Sequence, residues 1–246
     1  AMTGLLVPAG SAPALAAAIA ELASAPVAHR RMAQAARDAA LAENPHAGPL
    51  LVAGSVGPYG AYLADGSEYR GDYQRTAAEF TDFHRPRIEA LLAAGADLLA
   101  CETLPSFAEI KALAALLQAW PDARAWFSFT LRDAHHLSDG TPLAEVVKVV
   151  EATPQIVALG INCIALANTN DALEHLHSLS ALPLVVYPNS GETYDAVSKS
   201  WHAHGAACDT LAGHLPAWLA SGAKLIGGCC RTTPEDIAAL HRCCTK

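Results

Sequence analysis

A basic surplus is the first thing missing from this chain. Its 246 residues carry 16 Lys and Arg against 24 Asp and Glu, a formal net charge of −8. Phosphate backbones are bound by clustered Lys and Arg, so no nucleic-acid partner is expected. No run of like charge occurs, and no charged tail is indicated. Long apolar runs are missing as well. The most apolar stretches, such as "ALLAAGADLLAC" (90–101), hold Gly and Asp and are too short to span a bilayer. "ALAAAIAELASAP" (14–26) has no basic region before it and contains Glu21, which reads as an ordinary helix rather than a signal peptide. No membrane partner is expected, and the expected compartment is the reducing cytoplasm. Neither a dinucleotide nor a P-loop glycine fingerprint follows an early strand, which weakens a doubly wound nucleotide binder. C-x-x-C spacing is absent, which excludes a thioredoxin-like redox motif.

What is present is a repeating alternation. Short apolar runs stand at 49–55, 97–102, 124–130, 156–163, 183–189 and 224–229. Each is continuous rather than alternating, as in parallel strands buried on both faces. Amphipathic segments fill the gaps, with helices expected over 28–42, 73–94, 106–119, 141–152, 168–179, 209–221 and 234–244. Ser106 and Glu109 have capping-box spacing, and Thr233–Pro234 marks the start of the last helix. Repeated β-then-α units imply a parallel sheet covered by helices. Ser55, Glu102, Thr130, Asn162, Asn189 and Cys229 all fall at strand C-termini. A (β/α)8 barrel gathers such residues at one rim, where barrel enzymes work. Six strands are evident, two short of closure, and "GLLVPAG" (4–10) is a poor seventh.

Seven cysteines stand at 101, 163, 208, 229, 230, 243 and 244. In "KLIGGCCRTTPEDI" (224–237) the adjacent Cys229 and Cys230 end the last strand. Neighbouring side chains on a regular strand point to opposite faces, and Gly227–Gly228 relieve this through unusual dihedrals or close backbone approach. Zinc takes about four ligands and keeps one position open in catalytic sites. Cys163, which ends "GINC", is the natural third ligand. A three-thiolate site is soft and suited to binding another thiolate. The competing reading is three inert core thiols, since free cysteine is often buried. Cys101 is expected in the core, Cys208 at a helix start, and Cys243 and Cys244 in the last helical turn. Glu102 could bind a substrate ammonium or accept loop hydrogen bonds. Asn162 and Asn189 could orient a polar substrate or serve turns. Tyr59, Tyr69 and Glu68 could attract a cation or simply pack their loop.

"GINC" followed by "IGGCCRTTPEDI" resembles the zinc site of homocysteine S-methyltransferases. The resemblance extends through 50–73, 84–110, 126–133, 137–143 and 185–201, covering most of 30–240. The stretches "LLVAGSVGPYGAYLADGSEYRGDY" and "YPNSGE" look closest to the branch that uses S-methylmethionine or S-adenosylmethionine. The resemblance implies a single (β/α)8 homocysteine-binding domain over 1–246, with the N-terminal one or two β/α units missing or divergent. It implies Zn2+ on Cys163, Cys229 and Cys230, and Glu102 at the homocysteine amino group. The implied reaction is methyl transfer from a sulfonium donor to homocysteine, giving methionine. The alternatives are a truncated, non-catalytic zinc- or amino-acid-binding relative and a zinc hydrolase. The last is disfavoured because an all-thiolate site activates water poorly.

Overall fold

Continuous apolar runs form parallel strands when helices cover one face and a filled interior covers the other. The computed structural model describes residues 50–190, 192–195, 200–203 and 210–244, with scattered positions between 11 and 43. Along the chain run β1 (Ala53–Val56), α1 (Tyr59–Leu63), α2 (Ala77–Ala93), β2 (Leu98–Leu104), α3 (Phe107–Leu117), β3 (Ala125–Phe129), β4 (Leu131–Asp133) and β5 (His136–Leu137). Then follow α4 (Leu143–Glu151), β6 (Ile156–Asn162), α5 (Thr169–Leu179), β7 (Leu184–Tyr187), β8 (Glu192–Asp195), β9 (Ser200–Ala203), α6 (Leu211–Ala220), β10 (Ala223–Ile226) and α7 (Pro234–Cys244).

The six expected strands form one parallel sheet in the order β1-β2-β3-β6-β7-β10. Among the described residues the sheet is open, with β1 and β10 at its edges. Register assigns the faces. Cys101 pairs with Phe127, Phe127 with Leu159, and Ile161 with Val186. These side chains are fully or almost fully buried in one core with Ile110, Leu113, Val146, Leu173 and Trp218 from the helices. Burying each large apolar side chain contributes about 1.5–3 kcal/mol. The alternate residues Ser55, Ala100, Glu102, Trp126, Ser128, Gly160, Asn162, Val185 and Tyr187 face the other side of the sheet.

Several expectations change. The Ser106–Glu109 capping box does not form, and Ser106 makes no side-chain cap. That motif occurs instead at Thr76–Glu79, where both reciprocal bonds are present, and in a Thr233–Asp236 version at α7. The hairpins β4–β5 and β8–β9 follow β3 and β7 at the rim, where the sequence showed only loops. Strand β10 ends at Ile226, so Cys229 and Cys230 lie beyond the sheet. The expected strand at 4–10 and Cys208 lie outside the described residues, as does most of the helix at 28–42. No helix among the described residues is long and apolar enough to cross a membrane.

Candidate metal centre and substrate site

Three loops at the C-terminal rim are stitched together by their backbones. Cys163 N–H, just after β6, donates to the Tyr187 carbonyl, and Asn189 N–H donates to Ile164. From the last loop, Cys229 N–H donates to Pro188, while Ser190 N–H donates to the Cys230 carbonyl. The sulfurs of Cys163, Cys229 and Cys230 therefore converge. They stand 2.9 Å (163–229), 3.6 Å (163–230) and 4.0 Å (229–230) apart. Among the described residues this is the one group of three or more metal-ligating side chains close enough to share an ion. Three thiolates at about 2.3 Å from one tetrahedral zinc lie about 3.8 Å apart. Two of the three separations are near that value and the shortest has to open by about 1 Å, so the donor set fits the metal.

The local backbone departs from the sequence expectation. Neither Gly227 nor Gly228 takes a positive φ; the left-handed positions are Cys163 (φ 55°) and Arg231 (φ 65°). The requirement at Gly228 is space. A Cβ there would lie 2.5–2.7 Å from the Thr232 side chain. The three thiols perturb one another. The contacts with Cys163 and Cys229 draw Cys230 down to about 3. The contacts with Cys229 and Cys230, together with burial, push Cys163 far up. The remaining described cysteines behave otherwise. Cys101 is fully buried, and burial raises its thiol above the ordinary range, whereas Cys243 and Cys244 are exposed at the end of α7.

Glu102 lies on the sheet face that also carries Ser55, Trp126, Ser128 and Tyr187. Ser55 Oγ donates to its Oε1 at 2.5 Å, and the Tyr187 hydroxyl donates to its Oε2 at 2.9 Å. Tyr187 in turn accepts from Trp126 Nε1 at 2.9 Å and lies 2.6 Å from Ser128 Oγ. Burial, and then the Glu102 charge, raise the Tyr187 phenol well above its ordinary value. No ion pair reaches Glu102 among the described residues, so its charge is held by neutral donors. Asn162 is buried and commits its amide to Thr103, accepting from the N–H and donating to Oγ1, both at 2.8 Å. Asn189 is buried too, and its Oδ1 has no hydrogen-bond partner among the described residues. A cavity of about 220 Å³, lined by Trp126, Val185, Tyr187, Leu225, Ile226 and Gly227–Gly228, lies beside these groups. A larger one of about 570 Å³ opens at the opposite end of the sheet, around Thr153, Ile156 and Leu182. Its lining touches none of the groups around Glu102, whereas the smaller cavity is lined by Tyr187, which bonds Glu102, and by Trp126, so the chemistry belongs at the smaller cavity.

The loop 57–73 covers the rim. Tyr69 brings its hydroxyl to 3.7 Å from Cys163 Sγ. Glu109, fully buried, fastens both ends of the loop. Its Oε1 accepts from the Tyr59 N–H at 2.7 Å, and Tyr73 donates its hydroxyl to Oε2. His84 Nε2 lies 2.6 Å from the same Oε1, while Arg87 approaches His84 Nδ1 at 2.8 Å. Arg87 can only donate, so the ring carries its proton on Nε2 and is neutral. Burial is the main cause of its lowered pKa. Sequence reasoning missed Tyr187, Ser128, Trp126 and Thr103 as parts of the site. The signal available was register: Tyr187 lies beside Asn162 on the inward face.

The sequence profile of the homocysteine S-methyltransferase family matches residues 11–244. A homocysteine S-methyltransferase of Escherichia coli K12 is 73% identical over 209 residues, which are 85% of this chain and 67% of that protein. The selenocysteine methyltransferase of Astragalus bisulcatus is 42% identical over 198 residues, 79% of this chain and 59% of that protein. The metallated form of the E. coli homocysteine methyltransferase MmuM superposes with a TM-score of 0.79 at 64% identity, covering 89% of this chain and 71% of that one. The chain thus spans about two thirds or less of the length of these curated relatives.

Proposed function

Because the chain belongs to the homocysteine S-methyltransferase family, we propose that it moves a methyl group from a sulfonium donor to homocysteine, giving methionine. The observation that carries this is the meeting of three thiols from two distant loops, supported by Glu102, which no ion pair reaches among the described residues. Cys163, Cys229 and Cys230 would hold Zn2+. Bound zinc supplies the Lewis acidity that keeps a thiol ligand deprotonated at neutral pH.

The side chains of the protein do the rest. Glu102, oriented by Ser55 and Tyr187, accepts the homocysteine ammonium. Asn189 Oδ1 offers a second buried acceptor. Asn162 holds the irregularity of β2 at Thr103 in place, with one amide N–H left for substrate. The substrate sulfur then attacks the donor methyl carbon. A C–S bond forms, the sulfonium C–S bond breaks, and its electron pair stays on the departing sulfur as a neutral thioether. That leaving group takes no proton, so no general acid is needed. The task is positioning of sulfur and methyl in near-attack geometry. S-methylmethionine, as donor, would yield a second methionine; S-adenosylmethionine is the other candidate. A (β/α)8 barrel is the family expectation, and the six-strand order supports it.

Methionine formation from homocysteine, assayed with S-methylmethionine and S-adenosylmethionine, tests the reading. The protein should purify with one zinc and form methionine only with a sulfonium donor. The Cys229→Ser, Cys230→Ser double variant should lose both zinc and product. Full activity in that variant would sink the proposal.

A further inference from the structure

Loop 57–73 carries a feature that the cysteine centre does not use. Its middle is pinned to the rim by Thr130, whose hydroxyl donates to the Glu68 carbonyl at 2.8 Å and accepts from Ser138 at 3.0 Å. With both loop ends fastened by Glu109, the backbone at Glu68 has little freedom. Glu68 Oε2 is buried and has no hydrogen-bond partner among the described residues. No ion pair reaches Glu68 among them either. Arg70, two residues on, lies within range of the Glu68 charge, but its hydrogen bonds go to Asp72, to the Asp65 carbonyl and to Ser67 Oγ, and none reaches Glu68. A buried carboxylate oxygen without a donor is unfavourable, and native proteins rarely leave one without a reason. Tyr69, the adjacent residue, points its hydroxyl at Cys163. Glu68 therefore stands next to the residue that touches the metal centre.

The missing partner can be described chemically. An ammonium would need several acceptors for its N–H groups, whereas a sulfonium has no N–H and is satisfied by charge and by an aromatic surface. We propose that Glu68, together with the Tyr69 ring, is the subsite for the positive sulfur of the methyl donor, which makes Glu68 a determinant of donor charge. The inference rests on the sulfonium-donor reading above. The sulfur is most positive in the ground state and loses its charge as the methyl departs. Glu68 thus favours bound donor over neutral product, and its removal falls on donor KM rather than on kcat.

The experiment is calorimetric titration of the zinc-loaded protein with S-methylmethionine and with neutral methionine, alongside steady-state kinetics. Glu68→Gln keeps the shape and removes the charge. It should weaken S-methylmethionine about tenfold, the scale of one charge-assisted contact. Methionine affinity, homocysteine KM and zinc content should stay unchanged. Glu68→Asp, which keeps the charge, should recover part of the loss. Equal affinity for S-methylmethionine in Glu68→Gln and the unaltered protein, or parallel weakening of methionine, overturns the inference alone. If the unaltered protein binds no sulfonium, the donor reading fails as well. Glu68-dependent binding without methionine formation would uphold the subsite and reject the transfer reaction.

Discussion

At Thr103 the backbone takes φ 61°, a left-handed conformation that a β-branched residue rarely adopts. Two hydrogen bonds with Asn162 hold it there, and the irregularity of β2 that they fix follows Glu102 directly. Asn162 also immediately precedes Cys163, so one buried amide links the carboxylate to the metal-binding loop. Asn162→Ala removes both bonds and leaves the Thr103 N–H without its acceptor. Stability should fall by about 2 kcal/mol, read from urea denaturation, and homocysteine KM should rise more than donor KM. A change within about 0.5 kcal/mol would make the amide a bystander. The cysteines were legible in the sequence because thiols at two strand ends form an uncommon pattern with few competing uses. Thr103 was not legible, because nothing local in "CETLPS" announces a strained strand irregularity held from 59 residues away.

The elements that position the site are held by polar groups inside the outer layer. Glu109 shows why its sequence signal misled. The Ser106–Glu109 spacing suits a capping box, yet the carboxylate is drawn into a buried cluster with His84, Tyr59 and Tyr73, where tertiary bonding outweighs a local cap. That cluster makes stability depend on pH. His84 faces the Glu109 carboxylate on one side and the Arg87 guanidinium on the other, and burial lowers its pKa in the fold. Its contribution is full above the unfolded value near 6.5. Below that, the unfolded chain takes up a proton that the fold resists, so stability falls as pH drops toward the lower folded value. His84→Gln cannot titrate there. Thermal unfolding from pH 7.5 to 5 should show the gap between the two proteins shrinking as pH falls. A constant gap would remove His84 from the account.

At the scale of the whole molecule, the parallel sheet was readable because each strand is a continuous apolar run flanked by an amphipathic helix. The hairpins β4–β5 and β8–β9 were not. Their strands are short, and β4–β5 is partly polar, so they give no buried run to recognise. The same architecture brings Cys163 within reach of Cys229 and Cys230, although 66 residues separate Cys163 from Cys229 in the chain. The claim that this rim is a zinc–thiolate centre for a thiol substrate is tested most directly by zinc K-edge X-ray absorption, with and without homocysteine. The account predicts three sulfur scatterers at about 2.3 Å in the resting protein and a fourth on adding homocysteine. A sulfur count that homocysteine leaves unchanged, or a shell dominated by nitrogen and oxygen, would contradict it.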